Sequence, residues 1–209
     1  MPTAHGVGSN LTVKKTFGGL IAFVAVTATV ALVILLKAPK GIIVIVPGHW
    51  GSDPGAVCPD GLEERDVNFK VAEILAKSLR EKGYQVHLLP EFSPKFKTMK
   101  PALFLSIHSD SCIEGKSGFK LVSRGEGAER LGNCLRESYY KVTGLPFDPS
   151  TITPDMEEYH LFRKVDPHVP AAIVEMGFLS EDRWLLEGHP EIVAKGLEEG
   201  ILCFLGGEK

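Results

Sequence analysis

Four short stretches of the chain carry the side chains with the greatest chemical reach. PGHWGSDPGA, Pro47 to Ala56, crowds His49 and Asp53 among three glycines and two prolines. LFLSIHSDS, Leu103 to Ser111, ends an apolar run on His108, and AIVEMGF, Ala172 to Phe178, sets Glu175 between Val174 and Met176. GLEERDVNF, Gly61 to Phe69, places Glu63 and Glu64 side by side. A lone histidine at the end of a strand is more often a hydrogen-bonded structural residue than a ligand. A carboxylate at the end of a buried strand is harder to dismiss, because its desolvation must be offset by a partner or a cation. Together, two histidines and a glutamate at strand ends suggest a metal, with Glu63 or Glu64 supplying the further ligand.

These side chains converge only if the surrounding elements bring them together. Ile42 to Val46 reads as a buried strand, and Val67, Val71, Ile74, Leu75, Ser78 and Leu79 mark one face of a helix that stops at Gly83. Gln85 to Leu89, Ala102 to Ile107, Phe119 to Ser123 and Ala171 to Met176 are further strands. Helices are expected from about Glu126 to Val142, stopped by Gly144 and Pro146, and over 181–187 and 190–205. Residues 145–157 form a loop rich in Pro, Asp and Thr. Continuous apolar strands separated by helices predict an α/β fold, a three-layer domain with a mostly parallel sheet and helices on both faces. In open sheets of this kind ligands gather outside the carboxyl ends of the strands, where His49, His108 and Glu175 fall.

The chain has 209 residues and a formal net charge of -3, unevenly placed: residues 1–40 hold four lysines and no acidic residue, leaving a net of -7 on the rest. An acidic body argues against nucleic acid as a partner, since phosphate binding needs clustered Lys and Arg. Gly18 to Leu36 is an uncharged run of 19 residues, ~28 Å long as a helix and close to the ~30 Å core of a bilayer. Pro39 follows Ala38, the one plausible small residue for signal cleavage, so the run is expected to stay as a transmembrane signal anchor. The expected organisation is a disordered tail at 1–17, the anchor at 18–36, a linker at 37–41 and one domain over 42–209. Two lysines flank the anchor on each side, so charge barely decides its orientation. The four cysteines, Cys58, Cys112, Cys134 and Cys203, have no CxxC spacing and read mostly as buried thiols. Should the domain lie outside the membrane, Cys58 and Cys112, both in loops after strands, are the pair to test.

PGHWGSDPGA, LEERDVNFKVAEILAKSL, LFLSIHSD and PAAIVEMGFLS, in that order and at these spacings, resemble the zinc-dependent N-acetylmuramoyl-L-alanine amidases of the amidase-3 type. The resemblance runs from about Ile42 to Leu205. It implies one Zn²⁺ held by His49, Glu64 and His108, with Glu64 rather than Glu63 because Arg65, Asp66, Val67 and Asn68 follow it. It makes Glu175 the catalytic carboxylate, followed as in the family by Gly177 and Phe178. Two imidazoles and one carboxylate leave an open position on zinc, the pattern of a catalytic site. The implied substrate is peptidoglycan, cut at the amide between the lactyl group of N-acetylmuramic acid and L-alanine.

The segment from His87 to His108 lacks the TR-x-x-D motif and the helix ending in AN that family members commonly carry, and Asp110 replaces an Asn. His160 and Arg163 stand where the family often lines its cleft. Trp50 is placed to wall the site or to pack in the core, Asp53 to brace the loop, and His168 and His189 to lie on the surface. The protein is expected to act as a monomer on the outer side of the cytoplasmic membrane. Two other functions remain open from sequence: a non-catalytic wall-binding or regulatory protein of the same fold, and a zinc hydrolase acting on another amide.

Overall fold

The computed structural model describes Met1, Thr3 and residues 40–206. The chain divides into two units, Met1–Ala38 and Pro39–Lys209, and every element below belongs to the second. The predicted anchor, 18–36, lies outside the described residues, as do most of the predicted tail and linker. Among the described residues no helix is long and apolar enough to cross a membrane.

The predicted strands form one five-stranded sheet. β1 (Ile42–Pro47), β2 (Gln85–Leu88), β3 (Leu103–Asp110) and β5 (Ala171–Phe178) run parallel, while β4 (Lys120–Arg124) is an antiparallel edge. The spatial order is β2-β1-β3-β5-β4, which makes β1, β3 and β5 neighbours at the centre and leaves both edges to the shorter, more polar strands. The alternation of side chains across each strand sorts the core into two clusters. Ile43, Ile45, Leu103, Leu105, Ile107, Ala172 and Val174 face one way, and Val44, Val46, Phe104, Ala171 and Ile173 the other.

The three long helices, α1 (Glu64–Glu81), α2 (Ala128–Thr143) and α5 (Pro190–Gly206), all pack on the first of these faces. Their apolar stripes supply Val71, Leu75 and Leu79 from α1, Leu131 and Leu135 from α2, and Val193, Leu197 and Ile201 from α5. Each such side chain, once enclosed, stabilises the fold by roughly 1.5–3 kcal/mol. The expected layer of helices on both faces is therefore corrected. The second face is covered by single turns: 3-10 turns at Pro94–Lys97, Pro149–Thr151 and His160–Arg163 and the short α3 (Pro154–Glu157), which bring in Phe96, Met156 and Leu161. The segments that carry these turns are too short and too rich in proline to build long helices. α4 (Arg183–Leu186) is likewise one turn where a longer helix was expected.

The cysteines are a second correction. None of the four is a free thiol: Cys58 is bonded to Cys112 with Cα atoms 5.6 Å apart, and Cys134 to Cys203 with Cα atoms 5.7 Å apart. The first is the pair singled out from sequence. The second links α2 to α5 across 69 residues and becomes visible only once the two helices pack.

Candidate metal centre and active site

β1 and β3 end side by side, so the loop after β1 lies against the last residues of β3. His49 occupies the left-handed region with φ 65°, a conformation that turns the chain sharply at the strand end. Its Nδ1 lies 2.6 Å from Asp53 Oδ1, and Asp53 Oδ1 also accepts the Gly55 N–H at 2.9 Å, so Asp53 braces the loop and orients the ring as expected. Nε2 of His49 then points at Glu64 Oε2, 3.2 Å away. His108 Nδ1 stands 3.1 Å from Glu64 Oε1, and the two imidazoles meet edge to face with centroids 5.1 Å apart.

Glu64 is the first residue of α1, where the helix N-terminus favours a carboxylate. It is buried, and it accepts N–H bonds from Ala56 at 3.1 Å, Ser109 at 3.3 Å and the Asn68 amide at 3.0 Å. Asn68, one helical turn on, is itself held by Ser109 Oγ at 2.9 Å. Glu63 faces away and pairs with Arg65. Which of the two adjacent glutamates enters the site is thus decided by the start of α1.

One ligand atom from each of His49, Glu64 and His108 falls within 4.8 Å of the others, and these three are the one such group among the described residues. His49 and His108 approach opposite oxygens of the Glu64 carboxylate, at 3.2 and 3.1 Å, so that the three side chains close on one point. Room for the cluster depends on two glycines. A Cβ on Gly48 would clash with the His108 ring, 2.3 to 2.6 Å from three of its atoms, and one on Gly55 would come within 2.6 Å of Glu64 Oε2. The donor set and its spacing fit a small divalent cation.

The three side chains shift one another's affinity for protons. The hydrogen bond to Glu64 raises His49 to about 9, against the opposing effect of its burial. Burial pushes His108 down, but the Glu64 hydrogen bond and the charges of Glu175, Glu64 and Glu91 outweigh it and raise the group. Burial likewise pushes Glu64 up, and the hydrogen bonds from His108 and His49 reverse this and hold it far below the usual carboxylate range.

Glu175 sits on β5 in register with His108 on one side and Lys120 of β4 on the other. Its Oε2 is enclosed and is the one buried side-chain polar atom without a hydrogen-bond partner among the described residues. Burial raises its carboxyl to about 7. Lys120, also buried, pairs with Asp110 and donates to Thr151 O at 2.8 Å, so the departure at Asp110 comes with a compensating cation.

Two residues that sequence reasoning did not single out also enter the site. Glu91, which is 5% exposed, receives the His49 backbone N–H and lies 3.1 Å from Tyr159 Oη and 3.2 Å from His160 Nε2. Tyr159 Oη lies 3.4 Å from His108 Nε2. Glu91 follows β2 by three residues, and the search for polar residues just past strand ends that found His49 would have found it too. Of the other candidates, His160 stacks on Phe92 behind Glu91, while Arg163 is exposed and bonds to Glu158. Trp50 packs against Phe69. His168 is exposed, and His189 pairs with Glu191 on the surface.

A family model described as N-acetylmuramoyl-L-alanine amidase matches residues 43–201. Among curated relatives, a probable cell wall amidase, LytH of Staphylococcus epidermidis, is 26% identical over 170 residues, covering 76% of this chain and 56% of that protein. The chain thus spans a little over half the length of that relative. The solved structure of the amidase AmiC2 of Nostoc punctiforme superposes with a TM-score of 0.65 at 24% identity, covering 81% of this chain and 99% of that one. An N-acetylmuramoyl-L-alanine amidase from Clostridium difficile 630 gives 0.64 at 20% identity, over 83% and 100%. At these identities the structural likeness is one of fold. The family match takes in the sheet, α1 and all four expected site residues, and the chain accordingly belongs to the amidase-3 family of N-acetylmuramoyl-L-alanine amidases.

Proposed function

We propose that this chain is a zinc-dependent hydrolase that cuts the amide between N-acetylmuramic acid and L-alanine in peptidoglycan. The observation that carries the reading is the Glu175 carboxyl, enclosed and unpartnered at Oε2, across the strand from a His-Glu-His cluster with the spacing of a metal site. His49, Glu64 and His108 would hold the zinc. When bound, zinc supplies Lewis-acid polarisation of the scissile carbonyl and activation of the attacking water. Glu175 Oε2 accepts the proton of that water as the new C–O bond forms, and returns it to the nitrogen as the C–N bond breaks. Its raised pKa suits both duties near neutral pH. The two disulfides support a location outside the cytoplasm, in an oxidising compartment. The uncharged run at 18–36 would be the membrane anchor.

Digestion of purified peptidoglycan followed by mass analysis tests the reaction. Free stem peptides with L-alanine amino termini are the expected product. Glu175→Gln should keep its zinc and lose cleavage by about 10²-fold or more. In the wild type kcat/KM should fall as acid protonates Glu175, with a midpoint at or below about 7, since a nearby dication favours the carboxylate. A zinc-loaded protein that cuts no wall amide would leave the regulatory reading; full activity in the Gln variant would overturn the role of Glu175.

A further inference from the structure

The replacement of the family's usual segment after β2 by LPEFSPKF puts a carboxylate into the site from a direction that the four family residues do not explain. Glu91 is buried, and each of its oxygens has a separate duty. Oε2 receives the backbone N–H of His49, the residue held in the left-handed conformation at the end of β1. The contact is reciprocal, because the Glu91 N–H donates to Trp50 O at 3.2 Å and closes the loop against the 90–91 segment. Oε1 faces Tyr159 Oη at 3.1 Å and His160 Nε2 at 3.2 Å.

The hydrogen positions around Oε1 follow from the partners. Lys164 Nζ lies 3.1 Å from His160 Nδ1 and can only donate, so His160 carries its proton on Nε2 and gives it to Glu91. A carboxylate only accepts, so Tyr159 donates to Glu91, and its oxygen is then free to accept from His108 Nε2 at 3.4 Å and from Ser106 Oγ at 2.8 Å. His108 therefore carries a proton on Nε2, which leaves Nδ1, facing Glu64 at 3.1 Å, as the nitrogen whose lone pair would take the cation once its own proton is displaced. The direct Glu91 to His108 distance of 3.7 Å is too long for a hydrogen bond, which makes Tyr159 the necessary link.

We infer that Glu91, acting directly on the His49 backbone and through Tyr159 on His108, is a positioning residue that orients both histidine ligands and fixes the tautomer of the second. The inference rests on His49, Glu64 and His108 being the metal ligands. Outer partners of this kind typically change metal affinity by 10- to 100-fold. Glu91 and Tyr159 act on the histidines and take no part in the proton transfers assigned to Glu175, so the effect should appear in metal binding before it appears in turnover.

The test is competition for Zn²⁺ between the metal-free protein and a chromophoric chelator, with the absorption spectrum of the Co²⁺-loaded protein as a second readout. Glu91→Gln retains one acceptor oxygen and cannot serve both His49 and Tyr159, so about 10- to 100-fold weaker binding is expected. Tyr159→Phe keeps the ring and removes only the link, and should cost about tenfold. If the two act in series, the double variant should bind no more weakly than Glu91→Gln. Both single variants should shift the Co²⁺ ligand-field bands, which a merely structural role would leave in place. Should Glu91→Gln fail to fold, Tyr159→Phe carries the test. Wild-type affinity and spectra in both variants would overturn this inference alone, whereas a wild-type chain that binds no Zn²⁺ would overturn the ligand assignment with it.

Discussion

At the scale of single residues, the site is a contest between protons and a cation for the same lone pairs. Glu64 holds His49 protonated up to about 9, so at neutral pH a metal must displace protons to enter. The expected result is release of about one proton or more per Zn²⁺ at pH 7, with affinity rising through that range. Calorimetry in buffers of different ionisation enthalpy would measure it; binding without proton release would contradict the arrangement. Stability follows the same sign. A histidine whose folded pKa lies above its unfolded value of 6.5 adds stability that is fully present below 6.5 and is lost as pH rises through about 9. The melting temperature of the metal-free protein should therefore decline between those values, and loading with Zn²⁺ should remove the decline.

The elements matter here through their ends. β1, β3 and β5 are packed as neighbours by apolar residues that have no chemistry, and their carboxyl ends deliver His49, His108 and Glu175 as a consequence. The loop after β1 does the finer work. Gly55 has φ +67° and approaches both Glu64 Oε2 and His49 Cδ2, where a Cβ would sit 2.6 and 2.7 Å away. Gly55→Ala should leave the sheet and its circular dichroism intact while weakening Zn²⁺ binding by more than about tenfold. Gly83→Ala is the matched control: φ is +92° and nothing lies within 4 Å, so it should cost only the backbone strain of about 1 kcal/mol and leave metal binding unchanged. Equal effects of the two on metal affinity would show that the close approach at Gly55 is irrelevant.

For the molecule as a whole, the two disulfides divide the labour. Cys134–Cys203 staples α2 to α5 within the helical layer, whereas Cys58–Cys112 ties the loop before Glu64 to the loop after His108. Replacing Cys134 and Cys203 by Ala should lower stability by about 2–4 kcal/mol in denaturant unfolding and leave Zn²⁺ affinity alone. Replacing Cys58 and Cys112 should lower both; unchanged metal affinity there would refute a role for that bridge in holding the site.

Much of this was written in local patterns. Apolar runs and the helical spacing of residues such as Val67, Val71 and Leu75 announce the strands and long helices, because burial of one face imposes those periods whatever the rest of the chain does. Residue types at strand ends announce His49, His108 and Glu175. The sequence by itself therefore determined the α/β class, the order of elements and the residues able to bind a cation. Tertiary structure alone decided that the long helices share one face, that Cys134 meets Cys203, and that Glu91 and Tyr159 stand behind the histidines. These depend on contacts between distant segments, such as His49 with Glu91 across 42 residues, Cys134 with Cys203 across 69 and Ser78 with Glu198 across 120, fixed by the packing of whole elements and carrying no period of their own to read.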